Sequence, residues 1–297
     1  MPKQQLLVVF GVIQVFTAIL LNACLPISSF SIAPSSKQNQ NIQNPLQLTI
    51  ELQTTPTKPN ISQQDLTAVK QVITNRLGNL GVRESQLQDA GKNQILVTIP
   101  QQKNLDQILQ VLGSSAQLEF RAQKPGTEFQ LRDLQAKKIE LTTKELKLKR
   151  TNNQTAIAEN LAELEENQQA ISALFSSYNP PLTGQYITDA YAAPSQLESW
   201  EIMLKFDQKG SELFAALTKE LAGTGRGIGI FLDHQLISAP VIPIQYAKTG
   251  ITGGSAVISG NFTAQAAQDL SIQLQSGALP VPVKITSVTN GEAIKPR

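Results

Sequence analysis

WEIMLKFDQKGSELFAALTKELAGTGRGIGIFL, residues 200–232, holds a complete strand-helix-strand unit. Trp200, Ile202, Leu204 and Phe206 occupy alternate positions, the period of a half-buried strand. Asp207 stands where a helix N-cap belongs, and Leu213, Phe214, Leu217 and Leu221 follow at helical spacing. Gly223 lies just past the end of that helix, and Ile228, Ile230 and Leu232 alternate again as a second strand. Asp233-His234 fills a two-residue hairpin turn, and the chain returns through Leu236 and Ser238.

The same order recurs on both sides. Upstream, Leu46, Leu48, Ile50 and Leu52 alternate, and Ser62 with Asp65 forms a capping box. The helix after it carries Leu66, Val69, Ile73, Leu77 and Leu80 on one face and stops at Gly81. Ile95, Val97 and Ile99 make a strand ending at Pro100. A short helix from Leu105 to Leu112 closes at Gly113, and Leu118 and Phe120 mark a further strand. Downstream, Thr263 opens a helix through Ala266, Leu270 and Leu274 to Gly277, and Val281, Val283 and Ile285 read as the last strand. Two such blocks predict an α+β fold, a ferredoxin-like base of two strand-helix-strand halves sharing one antiparallel sheet with helices on a single face. Between them, residues 128–177 are charged, poor in Gly and Pro, and helical in period. Ile157, Leu161, Leu164, Ile171 and Phe175 have coiled-coil spacing, whereas Lys138 and Glu145 interrupt the stripe of Leu131, Leu134, Leu141 and Leu148. Lys144, Lys147, Lys149 and Arg150 face an acidic second half (Glu159, Glu163, Glu165, Glu166), with a turn at Thr151–Gln154. An inserted head built on an antiparallel helical hairpin is expected.

Composition narrows the chemistry. The chain has 297 residues, 41% hydrophobic and 16% charged, with a net charge of +2, which makes no case for a nucleic-acid surface. It has one histidine and one cysteine, too few for a zinc site or an internal disulfide. His234 and Asp233 read as turn residues and Asp207 as a cap, which leaves no nucleophile beside a base. The glycine-rich run from Gly223 to Gly229 follows a helix and precedes a strand, the reverse of a dinucleotide site. GITGGSAVISG at 250–260 lacks the lysine of a phosphate loop. The expectation is a binding or mechanical protein, not an enzyme, with no catalytic, cofactor or metal residues.

Five long stretches remain: LGNLGVRESQLQDAGKNQILVTIP (77–100), LGSSAQLEFRAQKPGTE (112–128), PPLTGQYITDAYA (180–192), GIFLDHQLISAPVI (229–242) and GITGGSAVISGNFTAQAAQDLSIQLQSGALPVPVKI (250–285). They resemble the SecD family of Sec translocase accessory subunits. They run collinearly from Leu46 to Ile285, and AQLEFR (116–121) and the inserted hairpin look most like cyanobacterial members. The resemblance is to the family's first periplasmic domain, a ferredoxin-like base with an inserted head. It implies an accessory role in Sec-dependent translocation, with SecYEG, SecD-SecF and exported unfolded polypeptides as partners and with placement at the inner membrane on the periplasmic side. The alternative is a separate envelope lipoprotein that keeps the fold and binds another partner.

Two departures accompany the resemblance. NIQNPLQLTI (41–50) stands where the family's Gly-Leu-Asp-Leu-x-Gly-Gly motif precedes the first strand, and the sequence stops at Arg297, where the family enters its later membrane spans with their proton-relay residues. The expected organisation is a signal or anchor at 1–25, a Ser/Asn/Gln-rich tether at 26–45, the first base half at 46–121, the inserted head at 122–198, the second base half at 199–288 and a tail at 289–297. The apolar run from Leu6 to Leu21 after Lys3 is short for a membrane span and suits a signal segment. Leu21-Asn22-Ala23-Cys24 resembles a lipobox, so Cys24 is a candidate for lipidation. An uncleaved anchor is the other reading of the same segment.

Overall fold

The computed structural model describes residues 45–102, 104–151, 153–196 and 198–290. The proposed anchor, Cys24 and residues 26–44 of the proposed tether lie outside them.

Eleven strands and six α-helices are found among the described residues. The first lobe begins with β1 (Pro45–Leu52), α1 (Gln63–Asn79), β2 (Gln86–Gly91), β3 (Gln94–Pro100) and α2 (Leu105–Gly113), and is completed by β11 (Val283–Asn290). Its antiparallel strands lie in the order β11-β1-β3-β2. The alternating Leu46, Leu48, Ile50 and Leu52 of β1 and Ile95, Val97 and Ile99 of β3 point to one face. They bury there against Leu66, Val69, Ile73 and Leu77 of α1 and Ile108 and Leu112 of α2.

Residues 118–276, between α2 and β11, form the second lobe, while Leu279 and Val281 pack in the first. β4 (Leu118–Gln123) leads into α3 (Glu128–Thr151), α4 (Gln154–Ala173), β5 (Phe175–Thr183) and β6 (Ile187–Pro194). The 200–232 stretch supplies β7 (Trp200–Phe206), α5 (Gln208–Leu221) and β8 (Ile228–Leu232), followed by β9 (Gln235–Ser238), β10 (Ser255–Phe262) and α6 (Ala264–Ser276). Asp207 caps α5 by accepting from the Gly210 N–H at 2.7 Å, and Thr263 caps α6 through the Ala266 N–H at 3.1 Å. Two further sheets result, β10-β7-β6 and β5-β4-β8-β9. They share a core in which Phe120, Phe206 and Phe214 meet with ring centroids 5.4–6.0 Å apart. Gly250 allows the β9–β10 connection to lie on α5. Its φ is +71°, and a Cβ there would sit 1.8 Å from the Ala215 carbonyl oxygen.

The expectation that residues 46–121 and 199–288 share one sheet is therefore corrected. Of the second block only β11 joins the sheet of β1, while residues 118–123 of the first block and β7, β8 and β10 of the second lie in the other two sheets. Sequence reading also missed β2, β5, β6 and β10. β5 runs through Asn179-Pro180-Pro181 and is an edge strand, where the missing proline donors cost no ladder bond.

Candidate functional site

α3 and α4, joined by a short turn, pack against each other and root on the outer side of β8 and β9. Leu131, Ile171, Phe175, Phe231 and Leu236 form a small core there. Phe175 and Phe231 meet edge to face at 5.1 Å, and the Arg121 guanidinium lies 4.3 Å from the Phe231 ring centre. Gly229 keeps β8 thin beneath this pair, since a Cβ on it would stand 2.6 Å from the Phe175 ring.

The seam between the two helices differs from the heptad expectation. In α3 the stripe is as read, with Leu131 and Leu141 buried and Lys138 and Glu145 half-buried along it. In α4 the buried positions are Asn160, Asn167 and Ile171, whereas Leu161 is 47% exposed. Ile171 is fixed by the small core and sets the rotation of the helix. At about 100° per residue, Asn160 and Asn167 fall within roughly 40° of Ile171, and Leu161 lies about 80° away. Heptad spacing holds one face only if the helices supercoil, and two short helices anchored at one end do not enforce that. Asn160 donates to the Leu141 carbonyl at 3.0 Å, but its own carbonyl oxygen and both polar atoms of Asn167 are buried without a hydrogen-bond partner.

Leu161, turned off the seam, and the half-buried Leu164 line an open groove of about 910 Å³ between the hairpin and the β8–β9 turn. Leu161, Leu164, Gln168 and Gln169 of α4 form one wall, Lys138, Thr142 and Glu145 of α3 another, and His234 and Gln235 close the end. Lys138 is half-buried, and desolvation holds its ammonium below the usual lysine range. Its Nζ donates to the Leu236 carbonyl at 3.4 Å.

The turn itself is held from the first lobe. Asp233 and His234 have φ of +48° and +67°, the signature of a type I′ hairpin turn. The Asp233 carboxylate accepts from Gln117 N–H at 2.9 Å and from Ala116 N–H and the Ser114 hydroxyl at 3.3 Å. These residues belong to the α2–β4 link, one of the two places where the chain crosses between lobes. The other crossing follows α6, and Leu279 N–H donates to the Ser115 carbonyl at 2.9 Å, so the two crossings touch. Arg76 sits at their junction with no exposed surface. Its guanidinium donates to the carbonyls of Val111 (2.8 Å), Leu112 (3.2 Å) and Ser114 at the end of α2, and to Gly277 (3.3 Å) at the end of α6. Two helix C-termini thus turn their negative ends to one buried cation. Burial lowers its pKa to about 10, and the Asp233 charge opposes that fall.

His234, Asp233 and Asp207 sit at a turn and a cap, and the structure does not bring them together. Among the described residues no group of three or more His, Cys, Asp or Glu could hold a metal ion, and no helix is long and apolar enough to cross a membrane. Sequence reading missed Arg76 and the groove.

Comparison with known proteins names the fold. Residues 66–125 match the N-terminal part of the SecDF P1 domain, and residues 158–281 match the SecDF P1 head subdomain. SecD of Synechocystis sp. is 45% identical over 244 residues, which is 80% of this chain and 51% of that protein. The chain belongs to the SecD family. SecD of Prochlorococcus marinus is 36% identical over 269 residues, 82% of this chain and 54% of that protein, so the chain spans about half the length of these curated relatives. A solved structure of "a membrane component SecDF that enhances protein export" superposes with a TM-score of 0.59 at 28% identity, covering 82% of this chain and 99% of that one. The super-membrane-facing form of SecDF gives the same TM-score at 27% identity, over 86% of this chain and 32% of that one. Both SecDF-matched segments fall in mixed helix-and-sheet structure, one spanning α1 to β4 and the other spanning most of α4 to the residues before β11.

Proposed function

We propose that this chain is a SecD-like accessory component of protein translocation, whose P1 domain handles exported polypeptide beside the translocase without covalent chemistry. The observation that carries this is the pair of SecDF P1 matches in family order, together with 45% identity to a protein translocase subunit. On this reading the first lobe is the ferredoxin-like base, because a β-α-β-β-α-β chain with strand order β11-β1-β3-β2 has that topology. The second lobe is the head inserted between α2 and β11, and it carries the helical hairpin. SecYEG and SecD-SecF are the proposed partners, and the N-terminal segment, through its apolar run or a lipid on Cys24, is the proposed tether to the inner membrane. A separate envelope lipoprotein with another partner is not favoured, since the relatives described above are translocase subunits.

The test is site-specific photocrosslinking from the second lobe of the full chain in membranes that are translocating a secretory precursor. Crosslinks to SecYEG, SecD-SecF or the precursor are expected. Their absence, with crosslinks only to other envelope proteins, would refute the proposal.

A further inference from the structure

The sequence of α4 contains two heptad frames. Ile157, Leu164 and Ile171 recur every seven residues and form a line common to both. Three residues after each stand Asn160, Asn167 and Leu174, and four residues after each stand Leu161, Gln168 and Phe175. In a heptad-wound helix these two sets lie about 50° to either side of the shared line, so a turn of about 50° exchanges one for the other. The structure holds the first frame. Asn160 and Asn167 are buried, Ile157 and Leu164 are half-buried, and Leu161 is 47% exposed. That frame carries a cost, because the Asn160 carbonyl oxygen and both polar atoms of Asn167 have no hydrogen-bond partner. At the root, Ile171 and Phe175 pack with Phe231 and Leu236 and fix the helix. Toward the tip, the first frame is held by the Asn160 bond to the Leu141 carbonyl and by the solvent-exposed Lys144–Glu163 pair, and neither is strong. Root and tip thus favour different frames.

We propose that α4 is a two-state element whose tip turns by about 50° on a fixed root, carrying Asn160 out of the seam and Leu161 into it. The inference goes beyond the translocation reading and does not depend on it. Spread over the residues from Ile171 to Asn160, the turn is about 5° per residue, within the ordinary scatter of helical dihedrals. Asn167 lies nearer the root and moves only part of the way. In the second state the Asn160 carboxamide reaches water and Leu161 is buried, which removes both costs at that level. Glu163 turns away from Lys144 and loses its partner. The consequence falls on the groove, because Leu161 lines it in the first state and leaves it in the second. Any occupant that packs on Leu161 favours the first state, so one helix couples occupancy of the groove to the twist of the hairpin tip.

The test is methyl relaxation dispersion on the leucines and isoleucines of the full chain in detergent micelles. Ile157, Leu161 and Leu164 should share one exchange process on the μs–ms scale, with a minor state of about 0.1–10%. Leu66 and Leu77, in the core of the first lobe, should not share it. Asn160→Leu favours the first state and should remove the exchange. Asn160→Lys makes that state costly, since it would bury an ammonium, and should turn the minor state into the major one. The Leu161 methyls should then be shielded from a soluble gadolinium chelate, with their relaxation enhancement falling severalfold. The α4 amides should stay as protected from hydrogen exchange as in the wild type. Flat dispersion profiles in the wild type, or exchange that survives Asn160→Leu, would overturn the proposal. So would loss of α4 amide protection in the lysine variant, which would show a hairpin with one seam that opens when that seam is broken.

Discussion

Ser62 and Asp65 cap α1 reciprocally, and Lys58 adds its ammonium to the same carboxylate. The bond from Lys58 contributes most, and those from the Ser62 hydroxyl and N–H add to it, lowering the Asp65 pKa from 3.8 to about 2. A carboxylate with a depressed folded pKa stabilises fully above its unfolded value and loses that contribution as pH falls through the folded one. The denaturation midpoint of the wild type should therefore exceed that of Asp65→Asn near neutral pH. The gap should close between about pH 4 and pH 2 in a denaturant series. At the β8–β9 turn, His234 pays the left-handed backbone cost of a residue with a Cβ, so His234→Gly should hold or raise stability by up to about 1 kcal/mol. Asp233→Ala keeps that strain and strips three donors of their acceptor, so it should lose about 1–3 kcal/mol by the same measurement. The cap and the hairpin turn were legible because each is closed by residues within a few positions, although the donors to Asp233 lie 116 to 119 residues away. Arg76 was not, because its acceptors are backbone carbonyls 35 to 201 residues away, and a carbonyl leaves no mark on side-chain pattern.

At the scale of elements, every helix with an apolar stripe was readable, and so were the strands with strict alternation. The strands that escaped notice have other reasons to be where they are. β10 is an edge strand containing Gly260, and β2 is an edge strand that exposes most of its residues, so neither shows a continuous apolar face. The hairpin was readable as two helices but not in its rotation, since Ile171 is positioned by Phe231 and Leu236, which are far off in sequence. The polar seam predicts a direct consequence. Asn167→Leu replaces a buried, unpartnered carboxamide with an apolar group and should stabilise the hairpin by about 1–2 kcal/mol. Slower amide exchange across α3 and α4, with little change in α1, would be the observation. Asn160→Leu should gain less, because it also gives up the bond to the Leu141 carbonyl.

At the scale of the molecule, the first lobe is closed by a strand from the far end of the sequence, with Leu52 of β1 opposite Val283 of β11. Sequence grammar announced two strand-helix-strand units but not which strands would be neighbours. That choice depends on which edges stay open after all the others pair, and the 200–232 unit went to the second lobe because β6 and β10 took the edges of β7. Two crossings then join the lobes, and beside them α6 packs against α1 and α2. Asn79 bonds Ser276 at 3.1 Å, Gln107 bonds Asp269 at 2.7 Å, and Arg76 gathers the carbonyls at both crossings. Arg76 is the strongest of these, because its bonds are charge-assisted and its carbonyls have no access to water once the lobes meet. Arg76→Met keeps much of the side-chain volume and removes the charge, so the helix ends of α2 and α6 are left without their donor. The loss should be about 3 kcal/mol or more, and it should fall on the coupling rather than on either core, whose residues are untouched. Calorimetry of the wild type should then show one transition for both lobes, and the Arg76→Met variant two, with the second-lobe transition near its original temperature. A single transition merely shifted downward would mean that the two cores are coupled mainly through α1, α2 and α6 packing and that Arg76 contributes only local stability.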